Sequence, residues 1–364
     1  MGFEKRSRLG DLGLWFLLCV GCMALLFSLA REKTVRTSDV AKGRETAGRE
    51  EGASERNRGA LNFRKEKEAV SFIRIPLERG TAADRIMVEN RYMDKELWIY
   101  VRRNGEEQHG EGSLAEFYGS AVLTGDTSSI LSGTYEIQED GVVLKIGLTR
   151  LFEYRNLLED GFLKIEWADP KERYERIVVI DPGCGGEEAG VTAHGLAEKD
   201  VVLQIARKLK EKLDRMDVKA YYTRMEDVAV SWEERAQIAN ETAADLFVSI
   251  RAAGDESRPE RYGVGCFYNG KYFLPGFGNV ELADRLEYQV VSAVSGKADG
   301  LWESGRESLL SLLEVPAAQI YVGFLTNARE NGLLGRAAYQ EKIADGIAAA
   351  IEEALGKIGA EETG

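Results

Sequence analysis

The sequence predicts an α/β domain, a mostly parallel sheet with helices on both faces. A small all-β domain and an N-terminal transmembrane helix precede it. Three observations predict this. From Arg176 onward, β-branched runs alternate with amphipathic stretches, the rhythm of a parallel sheet crossed over by helices. Between residues 69 and 172, short runs rich in Val, Ile, Leu and Trp are punctuated by Gly, Asp, Asn and Ser, which reads as a β-sandwich. Leu12 to Ala30 contains no charged residue, and as a helix it spans about 28 Å, close to the hydrocarbon thickness of a bilayer.

Residues 1–11 carry Lys5, Arg6 and Arg8. This positive flank predicts a cytoplasmic N-terminus with the rest exported, so 12–30 reads as a signal anchor. A signal peptide cleaved after "SLA" at 28–30 is the alternative. Cys22 does not read as a lipid-bearing cysteine, because the apolar run continues past it. Residues 31–68 mix charges of both signs around a single aromatic, Phe63, and are expected to be a disordered tether spanning roughly 35 Å. The β domain, 69–172, is placed by "VSFIRIPL", "ELWIYVRR", "GVVLKIGL" and "GFLKIEWAD", and its His109 reads as an exposed loop residue. The α/β domain follows over 173–360.

Composition narrows the function. The net charge is -13, from 61 acidic and 48 basic residues, so nucleic acid is not an expected partner. There are only two histidines, His109 and His194, which rules out a site built on several. Of four cysteines only Cys184 and Cys266 lie outside the apolar segment. That is no disulfide scaffold, although an exported pair could bridge.

In the α/β part, "RIVVID" predicts a strand and "KDVVLQIARKLKEKLDRM" a helix with Val202, Ile205, Leu209 and Leu213 on one face. "VKAYYT" is a strand. "SWEERAQIANETA" is a helix capped by Ser231 with Glu234 three residues on. "DLFVSI" is a strand and "GVGCFYNG" an edge strand. "NVELADRLEYQVVSAV" is a helix, "AAQIYVGF" a strand, and "AAYQEKIADGIAAAIEEALGKI" the last helix. Ligands of such sheets sit beyond the carboxyl ends of the strands. That singles out Asp181 to Gly186, Thr223-Arg224, Arg251 and Tyr321 to Asn327.

There the residues resemble the zinc-dependent N-acetylmuramoyl-L-alanine amidases of bacterial cell walls, over roughly 176–358. "VVIDPGCGG" is similar to a first-strand motif reading Asp-Pro-Gly-His-Gly-Gly. "GLAEKDVVLQIA" is similar to a Glu-Lys-Asp helix entry, and "YYTRMED" and "WEERAQIAN" to a Thr-Arg turn and the helix after it. "ADLFVSIRA" resembles a strand ending Ser-Ile-His-Ala. "VPAAQIYVGFLTNARENGLL" resembles a late strand reading Pro-Ala-Val-Leu-Val-Glu-Val-Gly-Phe-Leu-Ser-Asn. The β domain resembles the wall-targeting domains found upstream of some such amidases.

The resemblance implies a zinc ion held by two histidines and a glutamate, with a further glutamate as base, cutting the amide between N-acetylmuramic acid and L-alanine. By position the first histidine falls on Cys184, the glutamate ligand on Glu198, the second histidine on Arg251 and the catalytic glutamate on Tyr321. The surrounding frame keeps Asp181, Pro182, Gly183, Gly185, Gly186, Lys199, Asp200, Arg224, Gly323 and Asn327. Asp181, Gly183, Gly185, Gly186, Arg224 and Asn327 are expected to frame a substrate cleft.

A thiolate can bind zinc, but a guanidinium has no lone pair to give, and a phenol holds its proton at neutral pH. The pocket is therefore expected to hold an ion pair in place of the metal, Arg251 engaging Glu198 through two parallel hydrogen bonds. Cys184 would be a half-buried thiol filling the space of an imidazole. The competing arrangement sends Arg251 into solvent and leaves Glu198 hydrated. His194 could substitute as a ligand, and Cys184 could act as a nucleophile, though it lacks a histidine base. No cofactor is expected. The expected function is wall binding or regulation by a membrane-anchored extracytoplasmic module, with peptidoglycan, a wall enzyme or a division protein as partner. The alternative is an active peptidoglycan amidase with an altered metal site.

Overall fold

The computed structural model describes residues 58–67, 69–103, 111–271 and 276–361. The segment 12–30, the tether up to residue 57 and His109 lie outside the described residues. Among the described residues no helix is long and apolar enough to cross a membrane.

The first domain is two five-stranded sheets packed face to face. One runs β1 (Arg58–Ala60), β7 (Ile130–Gln138), β8 (Gly141–Leu148), β5 (Glu96–Arg102), β4 (Ile86–Arg91). The other runs β2 (Asn62–Lys65), β6 (Val122–Gly125), β3 (Phe72–Pro76), β10 (Phe162–Ala168), β9 (Glu153–Glu159). Alternate residues turn inward, so Ile73, Ile75, Ile99, Leu144, Ile146, Leu163 and Ile165 form the core. Helix α1 (Glu111–Ser120) buries Leu114 and Tyr118 against it.

The expected disordered tether ends earlier than residue 68. Arg58–Ala60 pairs antiparallel with β7, and Asn62–Lys65 pairs parallel with β6. Leu61 is buried and Phe63 packs on the same core, while Arg58 and Arg64 face solvent. Two apolar anchors were enough for edge strands, whose outer side tolerates charge.

After a one-turn helix, α2 (Pro170–Arg173), the second domain is a six-stranded sheet in the order β14, β11, β15, β18, β16, β17. These strands are β11 (Ile177–Pro182), β14 (Lys219–Tyr222), β15 (Leu246–Ala253), β16 (Val264–Tyr268), β17 (Ala298–Glu303) and β18 (Ala317–Phe324). A two-stranded hairpin, β12 (Thr192–Ala193) with β13 (Leu196–Ala197), stands apart.

The sheet is mixed. Five neighbouring pairs include four parallel ones, but β16 runs antiparallel to β18. The expectation that "GVGCFYNG" is an edge strand is corrected. β16 lies inside the sheet and β17 is the edge, because "ADGLWE" pairs along its far side.

Every residue of β11 is buried, as a central strand covered on both faces requires. Val178 and Ile180 face α3 (Glu198–Leu213), α5 (Asn279–Val294) and α7 (Ala337–Glu361). Ile177 and Val179 face α4 (Trp232–Glu241), the turn Leu309–Leu312, and Leu151 and Tyr92 of the sandwich. Acidic Glu198 and Asp200 open α3 and Lys210 and Lys212 close it, matching the helix dipole. The capping box at Ser231 and Glu234 forms at the start of α4. The short helix α6 (Ala328–Leu334) follows β18.

Candidate functional site

The site gathers where β11, β15 and β18 end. Glu198 is the first residue of α3 and is 1 % exposed. Both oxygens of its carboxylate accept from the protein. Oε1 accepts from Arg251 Nε at 2.6 Å and from the Ala252 amide at 3.1 Å, and Oε2 accepts from the Val191 amide at 2.9 Å. The ion pair is present, but through one hydrogen bond rather than two parallel ones. The reason is that Glu198's second oxygen belongs to the β12 entry.

Arg251 lies flat over Gly183, where a Cβ would overlap its Cδ. Burial works against the guanidinium charge, yet Glu198, Cys184 and Tyr321 outweigh burial and its pKa is raised. Among the described residues its two terminal nitrogens, Nη1 and Nη2, donate to nothing.

Cys184 sits in the left-handed region at φ 57°, a conformation in which histidine is enriched and cysteine is not. It is 2 % exposed, more buried than the half-buried thiol expected, because the loop folds over it at Gly190. Gly190, at φ 67°, leaves no room for a Cβ beside Glu198 and the Cys184 Sγ. Burial pushes the thiol up to about 12, against a smaller lowering by Arg251 and further raising by Glu198. Such a thiol stays protonated and is a poor nucleophile. Cys184 and Cys266 are both free and buried, so the bridge left open by the sequence is not formed.

Tyr321 pairs with Arg251 across β15 and β18. Its hydroxyl accepts from Gln319 Nε2 at 2.9 Å. Burial raises its pKa, Arg251 opposing and Glu198 adding, so it does not serve as a base near neutrality. His194 occupies the β12–β13 turn at φ 49°, and its Nε2 lies 3.3 Å from the Thr326 carbonyl oxygen.

The residues expected to frame the cleft, Asp181, Gly183, Gly185, Gly186, Arg224 and Asn327, are not among those that line the cavity beside Arg251. Asp181 and Arg224 lie beneath the loop and hold it. Asp181 accepts from Thr223 Oγ1 at 2.6 Å and Ser249 Oγ at 2.7 Å, and is paired with Arg235. Arg224 donates to the carbonyls of Pro182, Gly183 and Lys199 at 2.8–2.9 Å. Arg235 donates to the Cys184 carbonyl at 2.8 Å. Gly185 and Gly186 adopt φ 126° and 59°, which turns the loop toward Asp227. Asn327 caps α6 through Arg329 and Glu330, both at 3.1 Å.

A cavity of about 300 Å³ opens beside Glu198, Arg251 and Tyr321. Its far wall, Phe267 of β16, Trp302 of β17 and Arg261, is not among the residues that the sequence singles out. The Phe267 ring lies 5.3 Å from those of both Trp302 and Tyr321. Arg261 is held by Asp299 at 2.7 and 3.1 Å and lies over Trp302. Aromatic spacing in "GVGCFYNG" and "ADGLWE" was the only available signal.

These groups do not fit a three-ligand zinc centre. Of the positions that the resemblance assigns, only Glu198 and Cys184 could donate. The first is buried and accepts three hydrogen bonds from the protein, and the second holds its proton, with a guanidinium alongside. Among the described residues no three His, Cys, Asp or Glu side chains come together.

In sequence, the α/β domain is similar to the cell-wall amidases. Residues 178–353 match the family model for N-acetylmuramoyl-L-alanine amidase. The uncharacterized protein YqiI of Bacillus subtilis is 31% identical over 185 residues, 51% of this chain and 86% of that protein. The amidase CwlM of Mycobacterium tuberculosis is 32% identical over 194 residues, 51% of this chain but 46% of its own length. Among solved structures, the amidase AmiC2 of Nostoc punctiforme is 30% identical over 50% of this chain and 98% of that one, at a TM-score of 0.47. The chain belongs, through its α/β domain, to the N-acetylmuramoyl-L-alanine amidase family.

Proposed function

We propose that this is a peptidoglycan amidase module whose hydrolytic centre has been lost and whose cleft is kept for binding. The observation that carries the reading is the Arg251–Glu198 pair. It sits where the family resemblance places two of three zinc ligands, and it consumes the one ligand that was retained. A fixed cation there repels Zn²⁺, and Tyr321 cannot take over as base. Residues 12–30 would anchor the chain in the cell membrane, with both domains extracytoplasmic and the sandwich facing the wall. The partner is peptidoglycan itself, or a wall enzyme or division protein that the cleft regulates.

The test uses the full chain. Purified protein dialysed against zinc is expected to hold far less than one ion per chain, to release no stem peptide from muropeptides, and to co-sediment with isolated cell walls. Stoichiometric zinc together with peptide release would establish an active amidase with an altered metal site. Failure to sediment with walls would remove the wall as the ligand.

A further inference from the structure

The cavity beside Arg251 has a chemistry of its own. One wall is aromatic, from Phe267, Trp302 and Tyr321, and Arg251 forms its inner end. A guanidinium has five N–H donors in a planar fork. Glu198 uses one of them, at Nε, and among the described residues nothing takes the other four. Glu198 offers little to a ligand, since it is 1 % exposed and already accepts three hydrogen bonds from the protein. Asp299, on the opposite wall, is occupied by Arg261. The inner end of the cavity therefore presents donors and almost no free acceptors.

We propose that Arg251 is a carboxylate receptor: its terminal nitrogens bind the free carboxylate of a short peptide whose small apolar residues lie against Phe267 and Trp302. Two parallel N–H···O bonds from one guanidinium match the two oxygens of a carboxylate. The geometry leaves that edge available because Glu198 engages Nε alone. Gly183 keeps Arg251 flat, and the Ala252 and Val191 amides keep Glu198 in place, so the fork is preorganised. A cavity of about 300 Å³ suits one or two small residues rather than a long chain. Arg251 would thus do with hydrogen bonds what a metal does with its charge, gripping an oxygen at the end of β15, with no bond broken. This deepens the wall-binding reading and rests on it for the ligand's source.

The experiment is calorimetric titration of the full chain with N-acetylalanylalanine, in D,D and L,L forms, each as free acid and as C-terminal amide. The D,D acid is expected to bind about tenfold or more tightly than its amide, the loss expected when a charged hydrogen-bonded partner is removed. Arg251→Gln alone risks misfolding, because it strands the buried Glu198 charge. The double variant Arg251→Gln with Glu198→Gln keeps the shape without either charge, and is expected to abolish the preference for acid over amide. Trp302→Leu is expected to weaken acid and amide alike. Equal binding of acid and amide, no binding of either, or a preference that survives the double variant would each overturn the assignment. If only the L,L acid binds in this Arg251-dependent way, the receptor stands and the wall reading falls. If walls sediment with the protein but no acid preference is seen, the wall reading stands and the receptor falls.

Discussion

The phenol of Tyr221 donates to the Glu153 carboxylate at 2.6 Å, joining the sheet of the α/β domain to the last hairpin of the sandwich. Lys219 Nζ lies 2.9 Å from the same oxygen. Nearby, the Tyr92 hydroxyl donates to the Tyr222 carbonyl at 2.9 Å and accepts from its amide at 3.0 Å. Lys95 and the Leu151 amide both reach Glu241, at 2.6 and 3.0 Å. The two domains share a buried polar seam, and each supplies groups the other would leave unsatisfied. Tyr221→Phe leaves the Glu153 carboxylate short of a donor, and is expected to lower stability by about 1–3 kcal/mol. Urea unfolding followed by circular dichroism measures it. Two well-separated transitions in the wild type would show that the seam does not couple the domains.

Removing one member of the inner ion pair exposes its cost. Arg251→Ala leaves Glu198 charged and buried, and is expected to destabilise the α/β domain by about 3–5 kcal/mol. Adding Glu198→Gln removes that stranded charge, so most of the loss should return. Denaturation of the single and double variants gives the comparison.

The Cys184 thiol should be inert in the native protein. Its pKa is raised by burial to about 12 from 9.0. Between these values the folded state keeps a proton that the unfolded chain releases. The stabilising contribution is therefore full below about pH 9 and declines as pH rises toward 12. At pH 8.5 an alkylating reagent is expected to leave Cys184 unmodified until denaturant is added, read by mass spectrometry of the cysteine peptide. Rapid native labelling would mean the loop over Gly190 opens.

Gly183 should tolerate no side chain. Gly183→Ala drives a Cβ into Arg251 Cδ. The arginine must leave its place over the loop, breaking the bond to Glu198. The expected result is a stability loss near that of Arg251→Ala, while Gly161→Ala, at a solvent-exposed turn with nothing close by, acts only through its positive φ. Thermal melts of both variants decide it.

Installing the residues that the resemblance implies should create a zinc site. Cys184→His suits the left-handed backbone at φ 57°. Combined with Arg251→His and Tyr321→Glu, it frees Glu198 from its guanidinium. The triple variant is expected to bind about one zinc per chain by atomic absorption where the wild type binds far less. A triple variant without zinc would mean that the loop holding Cys184 no longer presents its side chain inward.

The elements around the site could be read from the chain because they are marked by short-range signals. Glycines turn a loop after a buried strand, a capping box opens α4, and Glu198 opens α3. Arg235 was hidden. In "WEERAQIAN" it looks like one more surface charge, and only the fold shows that it runs inward to Asp181 and Cys184. The direction of β16 was equally hidden, since alternation says which face a residue takes and not which way a strand runs. Because β17 adds along the far side of β16, Phe267 and Trp302 come to lie on the cavity wall with Tyr321, which short-range pattern does not encode. The first strands, β1 and β2, were lost among charges because Leu61 and Phe63 are too few to stand out.

Reversal of β16 has a practical meaning. The residues that fix the electrostatics come from β11, α3 and β15, whereas two of the three aromatic rings, Phe267 and Trp302, come from β16 and β17, which run opposite to β18. What the pocket grips with and what it grips against are encoded largely apart. A graft of those two strands from another family member should retune which guest is accepted while leaving the charged anchor untouched.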